Sequence, residues 1–185
     1  NALAREGLNA PSEVLRRLNL ELIQRSGDQP RFATAFYGVI DMRDNVVTLA
    51  GAGHPPVYVY GPNGKRQYHS GGGLLGIFPE DSFDQHEFVL SEGESLVIYS
   101  DGFETAFDEE HDDNQIHQIT PNEEYINQFE TLTNDAASTN LDEAMIRFVQ
   151  NLDQQTGSLH QTDDLTAVVI SARTVAQQKI IRKVA

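Results

Sequence analysis

A four-residue apolar run, Leu96–Tyr99, needs cover on both faces and therefore predicts a strand inside a layered fold. The run is soon followed by Asp101, which stands directly before Gly102. An Asp-Gly pair is typical of a hairpin turn, but the next apolar residues, from Phe103 to Phe107, recur at helical spacing. We therefore expect Asp101 at a strand-to-helix junction. There its carboxylate could act as a turn residue, a helix cap or a ligand for a metal or phosphate.

The acidic composition narrows the possible functions. The chain has 185 residues, which suits one domain, and a formal net charge of −15 from 28 acidic and 13 basic residues. Such a surface repels nucleic acid and anionic membranes, and no apolar run approaches the ~20 residues that cross a bilayer. The excess of acidic residues also favours carboxylates that are grouped around a divalent cation. Most of these side chains, however, are explained by an acidic surface that stays soluble through charge repulsion. The absence of cysteine excludes disulfides, thiolate metal sites and cysteine nucleophiles.

The order of predicted elements indicates an α+β fold, an antiparallel sheet or sandwich with helices on its outside. Helices are predicted at Pro11–Arg25, near Glu123–Leu132 and at Leu141–Leu152. Three hairpins are predicted between the first two helices: Phe32–Ile40 with Val46–Ala50, Val57–Tyr60 with Lys65–Tyr68, and Glu87–Leu90 with Glu94–Ser100. A last buried strand follows Asp163 and Asp164.

Three further segments are interpreted as connections. The glycines from Gly71 to Gly73 are not followed by the lysine and serine or threonine of a phosphate-binding loop, so they indicate a tight structural loop. The acidic stretch Asp108–Asn122 is expected to be a solvated loop or flap. The basic segment Arg173–Ala185 is expected to be a tail or linker.

Acidic residues stand at opposite ends of two predicted strands, Asp101 after one and Asp163 with Asp164 before the other. If these strands pair antiparallel, the carboxylates converge at one edge of the sheet. Oxygen ligands without cysteine suit a hard cation, Mg²⁺ or Mn²⁺, which retains waters that can attack a phosphate ester. A cap or turn remains the alternative. The six histidines show no metal-ligand spacing.

Four ordered motifs then resemble a known family: A-G-H-P-P (Ala52–Pro56), G-G-L-L-G (Gly72–Gly76), Y-S-D-G (Tyr99–Gly102) and D-D-L-T (Asp163–Thr166). Together with L-R-R-L-N in the first helix, they closely resemble the SpoIIE/RsbU branch of the metal-dependent protein phosphatase 2C (PPM) family. The resemblance covers about residues 8–172. It implies two packed antiparallel sheets flanked by helices, in a cytoplasmic bacterial signalling protein.

The resemblance also implies a reaction and a partner. The reaction is hydrolysis of phosphoserine or phosphothreonine by a water bridging two Mn²⁺ or Mg²⁺ ions. The usual substrate is a phosphorylated STAS-domain protein, an anti-sigma-factor antagonist in a partner-switching pathway. By motif, Asp101 and Asp163 match metal-ligating, catalytic aspartates, and Asp164 matches a variable second position of the same motif. His54 matches a family-typical residue, for which its Gly-Pro context indicates a structural role in shaping a turn.

The sequence departs from the family at two places. The family's first motif, D-V-x-G-H-G, supplies a bridging carboxylate and precedes the helix with which this chain begins. We therefore expect residues 1–172 to be a phosphatase domain without its N-terminal strands, excised from a longer regulator. After Asp-Gly, Glu104 stands one position earlier than the family's glutamate, and Thr105 takes the usual place.

These departures predict weak metal binding and little turnover for the chain by itself, since the bridging carboxylate positions both ions and the attacking water. An open sheet edge would also favour a homodimer. The rival interpretation is a non-catalytic pseudophosphatase that binds a STAS protein or an anti-sigma factor. A metal-dependent nuclease is disfavoured by the charge of −15 and the lack of a basic stripe.

Overall fold

A computed structural model describes residues 10–27, 29, 31–106, 124–154 and 164–172. These ranges form four helices and seven strands. The helices are α1 (Pro11–Ser26), α2 (Gly102–Ala106), α3 (Glu124–Ser138) and α4 (Leu141–Gln154). The strands are β1 (Ala35–Asp41), β2 (Val46–Ala52), β3 (Val57–Gly61), β4 (Gly64–Tyr68), β5 (Gln85–Val89), β6 (Ser95–Tyr99) and β7 (Ala167–Ser171).

The strands form two antiparallel sheets that pack face to face. The first sheet has the order β1-β2-β5 and the second the order β4-β3-β6-β7. Side chains alternate across each strand, so Val57 and Val59 of β3 pack with Val47 and Leu49 of β2 in the interior of the sandwich. The predicted α+β class, an antiparallel sandwich flanked by helices, is confirmed.

Helix α1 covers the outer face of the first sheet. Pro11 stands at the start of the helix, where its missing N–H is not needed. Leu15 is fully buried and packs with residues of β2 and of the following loops: Ala50, Ala52, Leu75 and Phe83. Leu15 and the partly buried Leu22 therefore form the face that joins the helix to the sheet, whereas Leu18 is exposed.

Asn19 on α1 is a fully buried polar residue whose amide is satisfied at both ends. Its Nδ2 donates to the carbonyl of Phe78 at 2.7 Å, and its Oδ1 accepts from the N–H of Gly76 at 2.6 Å. Because both groups are paired, the buried amide fixes the loop against α1 without an orphaned donor or acceptor. Gly76 has a φ of 92°, and a Cβ at this position would lie 2.1 Å from the carbonyl oxygen of Arg31.

Helices α3 and α4 cover the outer face of the second sheet. Phe129 and Phe148 pack onto the outward side chains Tyr58, Tyr60, Val97 and Tyr99 of β3 and β6. Asn140 caps α4, because its Oδ1 accepts from the backbone N–H of Glu143 at 2.8 Å. The protein is thus a four-layer arrangement of α1, two sheets, and the α3–α4 pair.

One predicted hairpin is wrong. The turn at Ser91–Glu94 exists, with the N–H of Glu94 donating to the carbonyl of Ser91 at 3.0 Å, but it carries the chain from one sheet to the other. β5 pairs with β2, whereas β6 pairs with β3 and β7. The reason is burial: β5 alternates exposed and partly buried residues and suits a sheet edge, whereas the apolar and largely buried β6 needs a central place.

Other boundaries differ by small amounts. The first strand begins at Ala35 instead of Phe32, which is exposed, and α3 continues to Ser138 because Leu132 and Ala136 also pack on the sheet. The predicted loop 108–122 and tail 173–185 lie outside the described residues. Within the described part of the chain, no helix has the length and apolar character of a membrane span.

Candidate functional site

Two chain segments, the end of β6 and the start of β7, meet at one end of the second sheet, which is where the predicted site lies. β6 and β7 pair antiparallel from Ser95↔Ser171 to Tyr99↔Ala167, as the convergence of the carboxylates required. Beyond this ladder, the N–H of Ser100 donates to the carbonyl of Thr166 at 2.9 Å. The hydroxyl of Ser100 donates to the carbonyl of Asp164 at 3.0 Å. The end of β6 is therefore fixed to the start of β7, and Asp101 lies beside Asp164.

Gly102 allows the two segments to approach this closely. It is buried, and a Cβ at this position would lie 2.6 Å from the carbonyl oxygen of Asp164. α2 begins at Gly102, and Phe103 is buried against Phe129 at a ring distance of 5.0 Å. Asp101 is thus at a strand-to-helix junction, as predicted.

The side chain of Asp101 is exposed at this junction. The N–H of Glu104 donates to the backbone carbonyl of Asp101 at 2.9 Å. Asp101 therefore stands at the first turn of α2, with its side chain accessible to a ligand.

Glu104 adds a second carboxylate one helical turn after Asp101. Although the residue is exposed overall, partial burial of its carboxyl group raises its pKa, and the negative charge of Asp101 raises it further. A hydrogen bond from Tyr99 opposes this shift. Like charges held this close are relieved by a cation, so the local charge distribution suits a cation ligand.

Buried tyrosines lie beneath Glu104. The hydroxyl oxygens of Tyr99 and Tyr125 are 3.4 Å apart, and Tyr58 accepts a hydrogen bond from Nε2 of Gln67 at 3.0 Å. Burial raises the pKa of Tyr58 to about 12 and also raises the pKa of Tyr99. These hydroxyls therefore stay protonated near neutral pH and serve as hydrogen-bond donors.

His54 lies just before β3, on the segment between the two sheets. Its Nδ1 is 2.8 Å from the carbonyl oxygen of Pro55, and its ring is tilted against Phe36 at a centroid distance of 5.4 Å. Ser70 donates to the carbonyl of His54 at 2.8 Å. These contacts support the predicted turn-shaping role.

The glycine loop is structural, as predicted. A Cβ at Gly71 would lie 1.8 Å from a carboxylate oxygen of Asp84, and one at Gly73 would lie 2.5 Å from Asp81. The N–H of Gly53 donates to the carbonyl of Gly72 at 3.3 Å. The loop therefore packs closely on residues 81–84 and on the Ala52–Pro56 motif.

The predicted ligands are only partly described. Asp101 and Asp164 are brought to one sheet end, whereas Asp163 lies outside the described residues. The described residues contain no group of three or more histidine, aspartate or glutamate side chains that could together hold a metal ion. Mg²⁺ is commonly held by one or two carboxylates with water and phosphate as the other ligands, so the chemistry of Asp101 and Asp164 fits a hard divalent cation.

The tyrosine cluster was missed at the level of sequence. Tyr99 belongs to the Y-S-D-G motif, but Tyr58 and Tyr125 come from separate elements and reach Tyr99 only through strand pairing and helix packing. The sequence signal is the pair of tyrosines at alternate positions of β3, Tyr58 and Tyr60, which predicts a shared face but no hydrogen bond.

Two known proteins are similar in sequence to half of this chain. The protein IcfG of Synechocystis sp. and the phosphoserine phosphatase RsbU of Bacillus subtilis are each 33% identical to this chain over 94 residues. The matched stretch is 50% of this chain, 15% of IcfG and 28% of RsbU. The chain therefore corresponds to a minor part of each relative.

Solved structures share the fold. The SiaA-PP2C domain of Pseudomonas aeruginosa matches with a TM-score of 0.65 and 20% identity, over 92% of this chain and 63% of that chain. The Mn-presoaked phosphatase domain of SpoIIE from Bacillus subtilis matches with a TM-score of 0.59 and 19% identity, over 94% and 70%. The RsbU and RsbW domains of a Mycobacterium tuberculosis protein match with a TM-score of 0.65 and 17% identity, over 92% and 44%.

A sequence profile covers nearly the whole chain. The family described as Stage II sporulation protein E (SpoIIE) matches residues 1–173. The matched range includes the elements that bring Asp101 and Asp164 to one sheet end, and the solved structures have the same sandwich. The chain belongs to the SpoIIE family and has the fold of the protein phosphatase 2C type.

Proposed function

We propose that the chain is a metal-dependent phosphoserine or phosphothreonine phosphatase domain of a bacterial signalling regulator. The observation that carries this proposal is the convergence of Asp101 and Asp164 across the antiparallel β6–β7 pair. The matched relative RsbU is named a phosphoserine phosphatase, which supports the same reaction class. A phosphorylated STAS-domain protein is the proposed substrate, and a match that contains RsbU and RsbW domains supports a partner-switching pathway.

Asp101, Asp163 and Asp164 would hold Mn²⁺ or Mg²⁺. When bound, such a cation neutralises the phosphate and activates water for attack on phosphorus. Two residues of the chain would keep the ligands of the cation in place. The hydrogen bonds of Ser100 fix the end of β6, and Gly102 leaves room for the segment that precedes β7. Tyr99 opposes the rise in the pKa of Glu104 and so favours the ionised form of that carboxylate near Asp101.

The test compares hydrolysis of a phosphoserine STAS protein by the chain and by the longest natural polypeptide that contains it, with and without Mn²⁺. For the longer polypeptide we expect Mn²⁺-dependent release of phosphate, and a loss of about 100-fold in Asp101→Asn and Asp163→Asn. Asp142→Asn on the exposed face of α4 is the matched control. Calorimetric Mn²⁺ titration of the same variants measures binding separately from turnover.

Two results would contradict parts of this proposal. If Asp101→Asn and Asp163→Asn release phosphate as fast as the wild type, these aspartates do not form the active site. Robust turnover by the chain alone contradicts the predicted need for a further bridging carboxylate.

A non-catalytic binding module is the second candidate. The observation in its favour is that the described residues include no complete group of three metal-ligating side chains. Such a module would bind a STAS protein or an anti-sigma factor, with an affinity independent of Mn²⁺ and without phosphate release. Measuring complex formation and phosphate release on the same samples separates the two candidates.

A homodimer remains a proposal that rests on the open sheet edges. β1 and β7 each form an edge, and Val168 on β7 is half-exposed. Light scattering across a concentration series measures the mass, and a monomer at every concentration would exclude this dimer.

A further inference from the structure

Helix α1 leaves one end of the outer face of the first sheet uncovered. Ala50 and Ala52 of β2 are fully buried and pack with Leu15 of α1. Because every second side chain of a strand lies on the same face, Val46 and Thr48 belong to this outer face as well. Both are only partly buried, so the cover that α1 provides ends before it reaches the start of β2.

Two valines of the neighbouring strands extend this uncovered area. Val89 of β5 is the paired residue of Val46, and Val39 of β1 is the paired residue of Thr48, so both lie on the outer face. Val89 is 52% exposed and Val39 is 38% exposed, whereas Leu49 on the inner face of β2 is 2% exposed. We call Val39, Val46 and Val89 the outer valine patch. Removing such side chains from water is favourable, so the patch suits an apolar partner.

Carboxylates flank the outer valine patch. Glu87 lies two residues before Val89 on the same face of β5 and is exposed, with one carboxylate oxygen 3.4 Å from the hydroxyl of Thr48. Asp41 ends β1, and Arg43 pairs with it at 2.6 Å. Among the described residues, no basic side chain forms an ion pair with Glu87. The partner that suits this surface is therefore both apolar and basic.

The tail, residues 173–185, has this composition. It holds 4 of the 13 basic residues and none of the 28 acidic residues, which leaves 9 basic and 28 acidic residues and a formal net charge of −19 for the rest of the chain. Ala176, Ile180 and Val184 recur every four residues, a spacing that predicts one apolar helical face. Lys179 and Arg182 fall on the opposite side of such a helix.

The tail also begins close to the patch. The described part of the chain ends at Ala172, whose N–H donates to the carbonyl of Glu94 and whose carbonyl accepts from the N–H of Gly93, each at 2.9 Å. Gly93 is four residues from Val89, and four residues span at most about 14 Å. A helix of the tail's length measures about 20 Å, and the three strands of the first sheet span about 10 Å between their outer axes. The tail is therefore long enough to reach the patch and cross it.

We propose that residues 173–185 bind as an amphipathic helix to the outer valine patch of the same chain, beside α1. Ile180 and Val184 contact the valines, and the basic side chains lie near Glu87. The SpoIIE profile matches residues 1–173, so this helix lies outside the range that defines the family. The proposal is independent of the phosphatase function.

Hydrogen exchange measured by mass spectrometry tests this binding in the longest natural polypeptide that contains the chain. Val89→Lys places a charge in the patch that opposes both the apolar face and the basic residues of the tail. We expect amides of residues 175–185 to exchange at least about 10-fold faster in this variant than in the wild type. Val149→Lys is the matched control, since Val149 is 49% exposed on α4, which covers the other sheet. This variant should exchange like the wild type.

Three results would overturn the proposal. The first is a wild-type tail that exchanges as fast as an unfolded peptide. The second is slow exchange that Val89→Lys leaves unchanged, because the tail would then be bound elsewhere. The third is protection that increases with protein concentration, because the patch would then bind a second copy of the chain.

Methyl NMR of the wild type provides a measurement that does not depend on a variant folding. With labelled isoleucine and valine methyl groups, we expect nuclear Overhauser effects from Ile180 and Val184 to Val39, Val46 or Val89, and none to Val149. If neither tail residue shows such an effect to the patch, the proposal is wrong.

Discussion

Glu104 carries a stability cost that depends on pH. Its pKa is raised from 4.5 by partial burial and by Asp101, so ionising it is harder in the folded chain than in the unfolded chain. Below the unfolded pKa both states are protonated and the cost is absent. As pH rises through the folded pKa, the cost develops fully. Near neutral pH, Glu104 therefore destabilises the protein in the absence of a cation.

Glu104→Gln should accordingly raise the melting temperature at pH 7 in the presence of a chelator and leave it unchanged at about pH 4. Differential scanning calorimetry at the two pH values measures this, with exposed Glu80→Gln as the control. An equal rise in melting temperature at both pH values would show that the ionisation of Glu104 is not its cause.

At the scale of elements, the junction between β6 and α2 depends on the absence of a side chain at position 102. In Gly102→Ala the Cβ would lie 2.6 Å from the carbonyl oxygen of Asp164, so β7 or α2 must shift. We expect a loss of about 1–3 kcal/mol in the free energy of unfolding. Gly38→Ala on β1 is the control, since its nearest neighbours would be at an ordinary 3.5 Å. Urea titration of both variants measures the difference in the free energy of unfolding. Equal values would show that the junction accommodates a methyl group at position 102 without strain.

Elements also show how far the sequence determines the fold. Periodicity alone predicted α1, α4 and the β1–β2 and β3–β4 hairpins, because in each the pairing or packing partner is local or the apolar stripe is complete. The partner of β6 could not be inferred this way. The turn after β5 looks the same locally whether the next strand stays in its sheet or crosses to the other. The need to bury both faces of β6 decides which sheet this strand joins. That need depends on the strands and helices that cover it, which are distant in sequence.

The candidate site also combines features that local sequence predicts with features that depend on distant layers. The sequence motifs indicate Asp101 and Asp163, with Asp164 at a variable position, and the antiparallel pairing of β6 with β7 brings Asp101 and Asp164 to one sheet end, whereas Asp163 lies outside the described residues. The contributions of Tyr99, Tyr125 and His54 depend on contacts between layers that are distant in sequence. Local patterns therefore predict where the acidic residues lie along the strands better than they predict the contacts between layers around them.

The whole molecule is strongly acidic, and its charge should make its stability sensitive to salt. With 28 acidic and 13 basic residues, the folded chain brings like charges closer than the unfolded chain does. Raising NaCl from about 0.01 to 0.15 M shortens the screening length from about 30 to 8 Å, so we expect the melting temperature to rise. MgCl₂ at equal ionic strength should raise it further in the wild type but not in Asp101→Asn. A melting temperature indifferent to NaCl would contradict the first expectation, and equal effects of the two salts would contradict the second.

The central position of β6 also has a consequence for synthesis of the chain. β6 is complete once Tyr99 has been added, but its pairing with β7 requires Ser171. At ribosomal rates of about 5–20 residues per second, this interval lasts roughly 4–14 s. Throughout it, this central apolar strand has one edge open, and for the earlier part of it α3 and α4 are also incomplete. During synthesis, β6 therefore presents an apolar strand edge of the kind that chaperones protect.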